Sequence, residues 1–199
     1  DGGSELVAVS GPTTVHVFFE GAQEGDALDN DGNGLDEVPT EMVDLNLSGL
    51  SPTLGPVTVR LHPTLPSLGG LEEVVNNTPG ILDVPPFTAA GTADSFFDIF
   101  FEVEVGGQFF YTQDPKRMRS RITHKPPGPG DLYENLEQIP LYDAAGNPPG
   151  FSLGATRHRP QTPVEIDQFD FSLGELELLM PDGGSELVAV SGPTTVHVF

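Results

Sequence analysis

Apolar and polar residues alternate along most of this chain with a period of two. Val43, Leu45 and Leu47 are separated by Asp44, Asn46 and Ser48, and Val57, Val59 and Leu61 by Thr58 and Arg60. Successive side chains of a strand point to opposite faces, so this pattern predicts antiparallel strands with one face in a core and the other in water. Residues 6–9 and 15–19 read as two strands paired across a Ser10-Gly11-Pro12 turn. The strongest signal is 96–105 (FFDIFFEVEV), followed by Gly106-Gly107 and then 108–111 (QFFY), which predicts a β-hairpin with a glycine turn. Phe97, Ile99, Phe101, Val103 and Val105 share one face. Phe96 and Phe100 share the other with Asp98, Glu102 and Glu104, as expected of a strand covered on both sides at its start.

Further strands are predicted over 117–124, 151–157, 164–171 and 176–180. Only 68–75 departs from the pattern: Leu71, Val74 and Val75 fall at helical spacing and predict a helical turn. Twenty prolines and 24 glycines punctuate the rest, notably in 126–130 (PPGPG) and 146–150 (GNPPG). About nine or ten short strands with such turns predict an all-β fold, an antiparallel β-sandwich of Ig-like or jelly-roll-like type. Residues 126–150 then form a Pro/Gly-rich excursion rather than a second domain.

The two ends of the chain are the same. Residues 1–18 (DGGSELVAVSGPTTVHVF) return unchanged as residues 182–199. An identity of 18 varied residues at a fixed offset is the signature of a repeat architecture. It predicts a tandem array with a 181-residue period, in which 1–181 is one sandwich unit and 182–199 opens the next. The short join implies that adjacent units touch and that the array is fairly stiff. The second copy either continues as a bead on one polypeptide or completes a sheet of a neighbouring unit or molecule through Leu187, Val188, Val190, Val196 and Val198.

Charge narrows the partners. The second copy holds two acids, Asp182 and Glu186, so one period carries 28 acids against 8 bases. A field of that sign argues against nucleic acid and anionic membranes and favours solubility and cation binding. Cysteine is absent, which excludes disulfides and thiolate metal sites without excluding secretion. No run of 18 apolar residues is present, so no membrane insertion is expected within this segment, and no leader sequence is recognisable. The chain reads as a segment cut from a longer mature protein.

One motif carries chemistry. Residues 25–37 read GDALDNDGNGLDE, with Asp29, Asp31 and Asn33 at alternate positions, glycine after them, and Asp36 and Glu37 closing the run. Calcium takes six to eight hard oxygens, and alternate Asp/Asn residues in a tight loop turn theirs towards one point. The run resembles the Asp-rich calcium loops of dockerins, thrombospondin type 3 repeats and other secreted bacterial repeat proteins. That resemblance implies ligands at Asp29, Asp31 and Asn33, the carbonyl of Leu35, and Asp36 or Glu37 closing the shell around a structural calcium. It covers about a dozen residues and departs from the EF-hand, since Thr40 stands where a bidentate Glu is expected and Val38-Pro39 breaks an exiting helix. The competing expectation is a solvated Asn/Asp/Gly turn, in which these residues are common on their own account.

Lys116, Arg117, Arg119, Arg121 and Lys125 concentrate five of the eight bases. Arg117, Arg119 and Arg121 lie at strand spacing and share a face. Such a stripe either docks on an acidic surface of a neighbouring unit or neutralises acids of its own domain, such as Glu102 and Glu104. The five histidines show no metal-ligand spacing, and no nucleophile elbow, Walker loop or dinucleotide fingerprint is present, so no enzymatic activity is expected. Seven of the sixteen aromatics lie within 96–111; core packing is the expected role, a sugar or partner platform the other.

Repeat, acidity, Asp-rich loop and lack of cysteine together resemble the secreted tandem-repeat proteins of environmental bacteria, whose β-sandwich modules build fibres, coats and adhesin stalks. The resemblance implies an extracellular or cell-surface structural module whose partners are neighbouring copies of the same repeat. A glycan- or protein-binding adhesin module is the alternative, and a secreted hydrolase domain a weaker third.

Overall fold

The computed structural model describes residues 3–161, 165–179 and 185–198. Two compact units, Asp1–Gln161 and Thr162–Phe199, divide the chain. Among the described residues there is no helix, and every strand pairing is antiparallel.

The first unit contains β1 (Val9–Ser10), β2 (Thr13–Val17), β3 (Glu37–Ser51), β4 (Gly55–Leu61), β5 (Ser67–Glu73), β6 (Ala93–Ile99), β7 (Phe101–Val105) and β8 (Gln108–Tyr111). It continues with β9 (Lys116–Ile122), β10 (Tyr133–Asn135), β11 (Ile139–Pro140), β12 (Ser152–Leu153) and β13 (Thr156–His158). The second unit is one hairpin, β14 (Glu165–Leu179) with β15 (Ser185–Val198). Strand order in the first unit is β13-β10-β9-β6-β5-β3-β4-β7-β8, with β1 and β2 also on β3, and β11 pairs separately with β12.

The fifteen-residue strand β3 organises this sheet. Its first part pairs with β5 through 37–42 and its last part with β4 through 46–51, on the same edge. The opposite edge carries β2 at 40–45 and β1 at 48–49. The sheet therefore divides at β3 into two leaves, one running β5-β6-β9-β10-β13 and the other β4-β7-β8, which close on one core as an all-β sandwich. A strand that passes from one leaf to the other needs a bend, and a β-bulge supplies it. The register between β2 and β3 shifts between Thr14 and Val15, leaving Val43 as the extra residue. The inward parity changes there: Val38, Thr40 and Met42 are buried before it, Leu45 and Ser51 after it. Val43 is thereby exposed, so it does not share the inward face with Leu45 and Leu47 that plain alternation gives it.

A second corner lies at Phe100. The predicted strand 96–105 is two strands, β6 in one leaf and β7 in the other. The ladder gap is filled locally: Phe100 N–H donates to Ser67 Oγ (3.2 Å), and His62 N–H donates to the Phe100 carbonyl (2.8 Å). Alternation survives the corner, with Phe97, Ile99, Phe101 and Val103 all buried. The Gly106-Gly107 hairpin is present, both residues at positive φ (59° and 77°), as a two-residue primed turn requires.

Two local expectations fail for the same physical reason. Residues 6–9 and 15–19 do not pair with each other, because β1 and β2 lie end to end along β3. Gly11 is no turn residue; a Cβ there would lie 1.9 Å from the Asn46 carbonyl oxygen, so glycine permits close backbone approach. The helical turn expected over 68–75 is instead strand β5, where Ser67, Leu71 and Glu73 are buried and Leu68 is exposed. Gly69 lets β5 press against β6, since a Cβ would meet the Phe96 carbonyl oxygen at 2.2 Å. The predicted strands 164–171 and 176–180 merge into β14, and Val164 and Met180 lie outside the described residues.

Phe101 is 4% exposed at the start of β7. Phe101→Ala should cost about 3–5 kcal/mol in urea unfolding through lost contacts and a residual cavity. Lys125, after β9, is held by burial at a pKa of about 8, partly offset by Glu24. The unfolded chain keeps that proton up to about pH 10.4, so between these values unfolding takes up protons and stability rises with pH. Lys125→Met should flatten that rise in the pH dependence of the unfolding free energy.

Candidate metal centre

The Asp-rich loop is closed at its neck and hangs from the start of β3. Glu37 N–H donates to the Leu28 carbonyl (2.9 Å) and Leu28 N–H to the Glu37 carbonyl (3.4 Å), forming an isolated bridge. A second bridge, Asp26 with Ile81, ties the preceding residues to the segment after β5. Inside the neck, Asp29 Oδ1 accepts from the N–H groups of Gly32 (2.8 Å) and Asn33 (3.0 Å), and Asp29 Oδ2 from Gly34 (2.9 Å). Gly32 and Gly34, at φ 78° and 91°, supply the sharp reversals. Asp31 Oδ1 accepts from Asn33 N–H (3.0 Å), and Asn33 Oδ1 from Leu35 N–H (2.8 Å). These side-chain-to-backbone bonds explain why Asp and Asn alternate here: each replaces a backbone partner the loop cannot provide.

Three carboxylates converge. Asp29, Asp31 and Glu37 each place one oxygen within 4.8 Å of the others, a group able to hold a metal ion. Glu37 Oε1 accepts from Asn30 N–H (2.8 Å), whereas Oε2 is buried and accepts no hydrogen bond. A buried carboxylate oxygen without a donor is costly and suits a cation. Burial, then the charges of Asp31, Glu72 and Asp29, raise the Glu37 pKa, against the lowering effect of the Asn30 hydrogen bond. Hard oxygens of this kind suit divalent cations such as magnesium, calcium or manganese.

The other residues expected at the ion stand elsewhere. Asn33 Nδ2 donates to Asp31 Oδ2 (3.2 Å), so its amide braces the cluster from within the loop. Leu35 donates its N–H to Asn33 and is half-buried. Asp36 is buried and turned inward, its Oδ2 accepting from Gly80 N–H (2.6 Å). It belongs to a second acidic group that sequence reading missed. Glu73, 1% exposed, accepts from Asp36 N–H and Asp83 N–H (both 2.9 Å), one on each carboxylate oxygen. Asp83, also buried, accepts from Asn77 and Thr78 N–H groups. Burial raises the Glu73 pKa, and the charges of Asp36 and Asp83 add to it. The hydrogen bonds from Asn77 and Thr78 outweigh burial and lower that of Asp83. These carboxylates clamp the loop's exit to the 74–83 segment. Asp83 in the apolar run Ile81-Leu82-Asp83-Val84 was the available sequence signal.

The basic residues divide. Lys116 is buried and its Nζ donates to the Glu137 carbonyl. Arg117 forks onto Asp98 (Nε to Oδ1 2.7 Å) and covers the Phe96 ring at 4.5 Å. Arg121 forks onto Asp94 with both bonds at 2.8 Å. Arg119 stands in register between Phe96 of β6 and Glu134 of β10. Glu102 and Glu104 pair with Arg60 instead. In the hairpin, Leu187, Val190 and Val196 are exposed, Val188 is half-buried, and Val198 pairs with Glu165 in the ladder.

No family model, curated protein or solved structure matches this chain. Its own geometry carries the reading.

Asp36→Ala should destabilise the fold by about 1–3 kcal/mol by orphaning Gly80 N–H, equally with a divalent cation or a chelator. Glu37→Gln should leave stability in chelator nearly unchanged and abolish any cation-dependent rise in Tm. Calorimetric melts of both variants with and without EDTA read the two effects separately.

Proposed function

We propose that the chain is a structural repeat module of an extracellular filament, surface coat or adhesin stalk, arrayed with a 181-residue period and stiffened by calcium. The 18-residue identity between the chain's ends carries this reading. Each copy is a paired strand: residues 9–17 lie on β3 and residues 185–198 on β14. A segment that pairs at both ends of a period is suited to joining one unit to the next. Calcium is the preferred ion because Asp29, Asp31 and Glu37 offer hard oxygens and calcium accepts irregular coordination geometry around them. Ion binding there would couple loop order to unit stability.

The alternative, an adhesin module with an aromatic ligand platform, has weaker support. Phe97, Phe101 and Phe110 of the aromatic run are buried in the core.

A test is a two-period chain, residues 1–181 followed directly by 1–199, compared with the single chain by small-angle scattering in calcium and in EDTA. The expected result is a rod about twice as long in calcium that loses definition in EDTA. Two freely jointed globules in both buffers would remove the stalk reading, and identical rods in both would remove the ion's role.

A further inference from the structure

The N-terminal copy of the repeated segment is an edge strand. Phe18 N–H donates to the Pro39 carbonyl (3.0 Å) and Asn46 N–H to the Pro12 carbonyl (3.1 Å). Even-numbered residues of β1 and β2 therefore turn their backbone groups to β3. The odd-numbered Val9, Thr13, Val15 and Val17 turn theirs away, to an edge on which no strand pairs among the described residues. Open edges of this kind recruit further strands.

The C-terminal copy supplies the complementary observation. Its ladder with β14 matches, at both ends, the ladder its twin makes with β3. Val9 faces Gly49 and Val17 faces Thr40; their equivalents Val190 and Val198 face Gly174 and Glu165. The offset between the two partner strands is the same at both ends, and each partner fits one extra residue between them. In the first copy that residue is Val43, opposite the Thr14/Val15 step; in the second it falls between Phe169 and Ser172. The segment thus keeps one overall register against two different partners.

The two copies differ in cover. Val9 and Val15 are half-buried on the first unit, Val15 against its core, whereas their equivalents Val190 and Val196 are exposed on the hairpin. A two-stranded hairpin is marginal in water without a third strand or a core.

We propose that residues 185–198 of one copy take the place of residues 4–17 along β3 of a second copy, a docking that rests on the repeat reading above. The occupant is fixed by identity: each side chain that β3 accommodates in β1 and β2 recurs at the same spacing in β15. The docked strand covers Val190 and Val196 as Val9 and Val15 are covered now. The displaced N-terminal segment is freed, so exchange is close to balanced and depends on protein concentration.

The absence of cysteine makes the register directly testable. Ser10 pairs with Ser48, and the equivalent of Ser10 is Ser191; Ser10, Ser48 and Ser191 are all exposed. Antiparallel partners lie about 4.5–5.5 Å apart at Cα, within disulfide reach. Full-length chain carrying Ser48→Cys is mixed with full-length chain carrying Ser191→Cys, incubated over a range of concentrations, oxidised and digested. The expected product is a peptide linking positions 48 and 191 between copies, rising with concentration. It should rise further when Val15→Asp weakens the N-terminal strand of the Ser48→Cys partner. In a single chain, Ser10→Cys with Ser48→Cys should close within the monomer and suppress exchange.

Linkage of 10 to 48 with none of 48 to 191 at any concentration would overturn the proposal. A 48–191 link formed only within one chain carrying both substitutions would overturn it too, since the strand would then return to its own β3. Either result alongside a rod-like two-period chain sinks strand exchange alone; loss of the rod as well sinks the repeat reading beneath it.

Discussion

The fold depends on one strand serving two leaves. β3 runs for fifteen residues, well beyond the usual strand of five or six. A straight strand of that length would carry both leaves out as one flat sheet with no enclosed core. The bulge at Val43 prevents this by changing which parity points inward, so Val38 and Met42 face the core before the bend and Leu45 after it. Phe100 makes the corresponding corner between β6 and β7, with Ser67 and His62 satisfying its backbone groups. Two corners on neighbouring paths let a single sheet wrap Phe97, Ile99, Phe101 and Met118.

Much of this was legible in the sequence because burial on one face imposes period-two alternation wherever a strand is half-covered. The hairpin at Gly106-Gly107 and the inward set from Phe97 to Val103 follow from that rule and from turn chemistry. The sequence predicts a turn at Gly11, and a helical turn over 68–75 from the spacing of Leu71, Val74 and Val75, yet Gly11 and Gly69 both mark places where paired backbones nearly touch. Such contact depends on a strand 27 to 35 residues away and leaves no local trace. Val43 was misplaced for a related reason: a bulge keeps the composition of a strand and shifts its phase.

The acidic residues divide along the same line. Asp29 and Asp31 were readable because their partners are backbone groups within five residues. The partners of Asp36 and Glu73 were not, because the donors to their carboxylates lie 10 to 44 residues away. Distinguishing Asp36 from Glu37 in adjacent positions requires knowing which faces the core, and that follows from where β3 begins.

Glu37 joins these two themes. It is the third carboxylate of the loop cluster and also the first residue of β3, bridged to Leu28 on one side and in register with Glu72 on the other. A cation held by Asp29, Asp31 and Glu37 would therefore anchor the start of the strand on which both leaves and the repeated segment depend. Its charge would also offset the mutual repulsion of Asp29, Asp31 and Glu72 around Glu37. The field of an acidic chain opposes casual association along an open strand edge. Under the strand-exchange proposal, selective pairing would then come from register and side-chain fit along β3, and an ion at Glu37 would act on both by fixing where that strand starts.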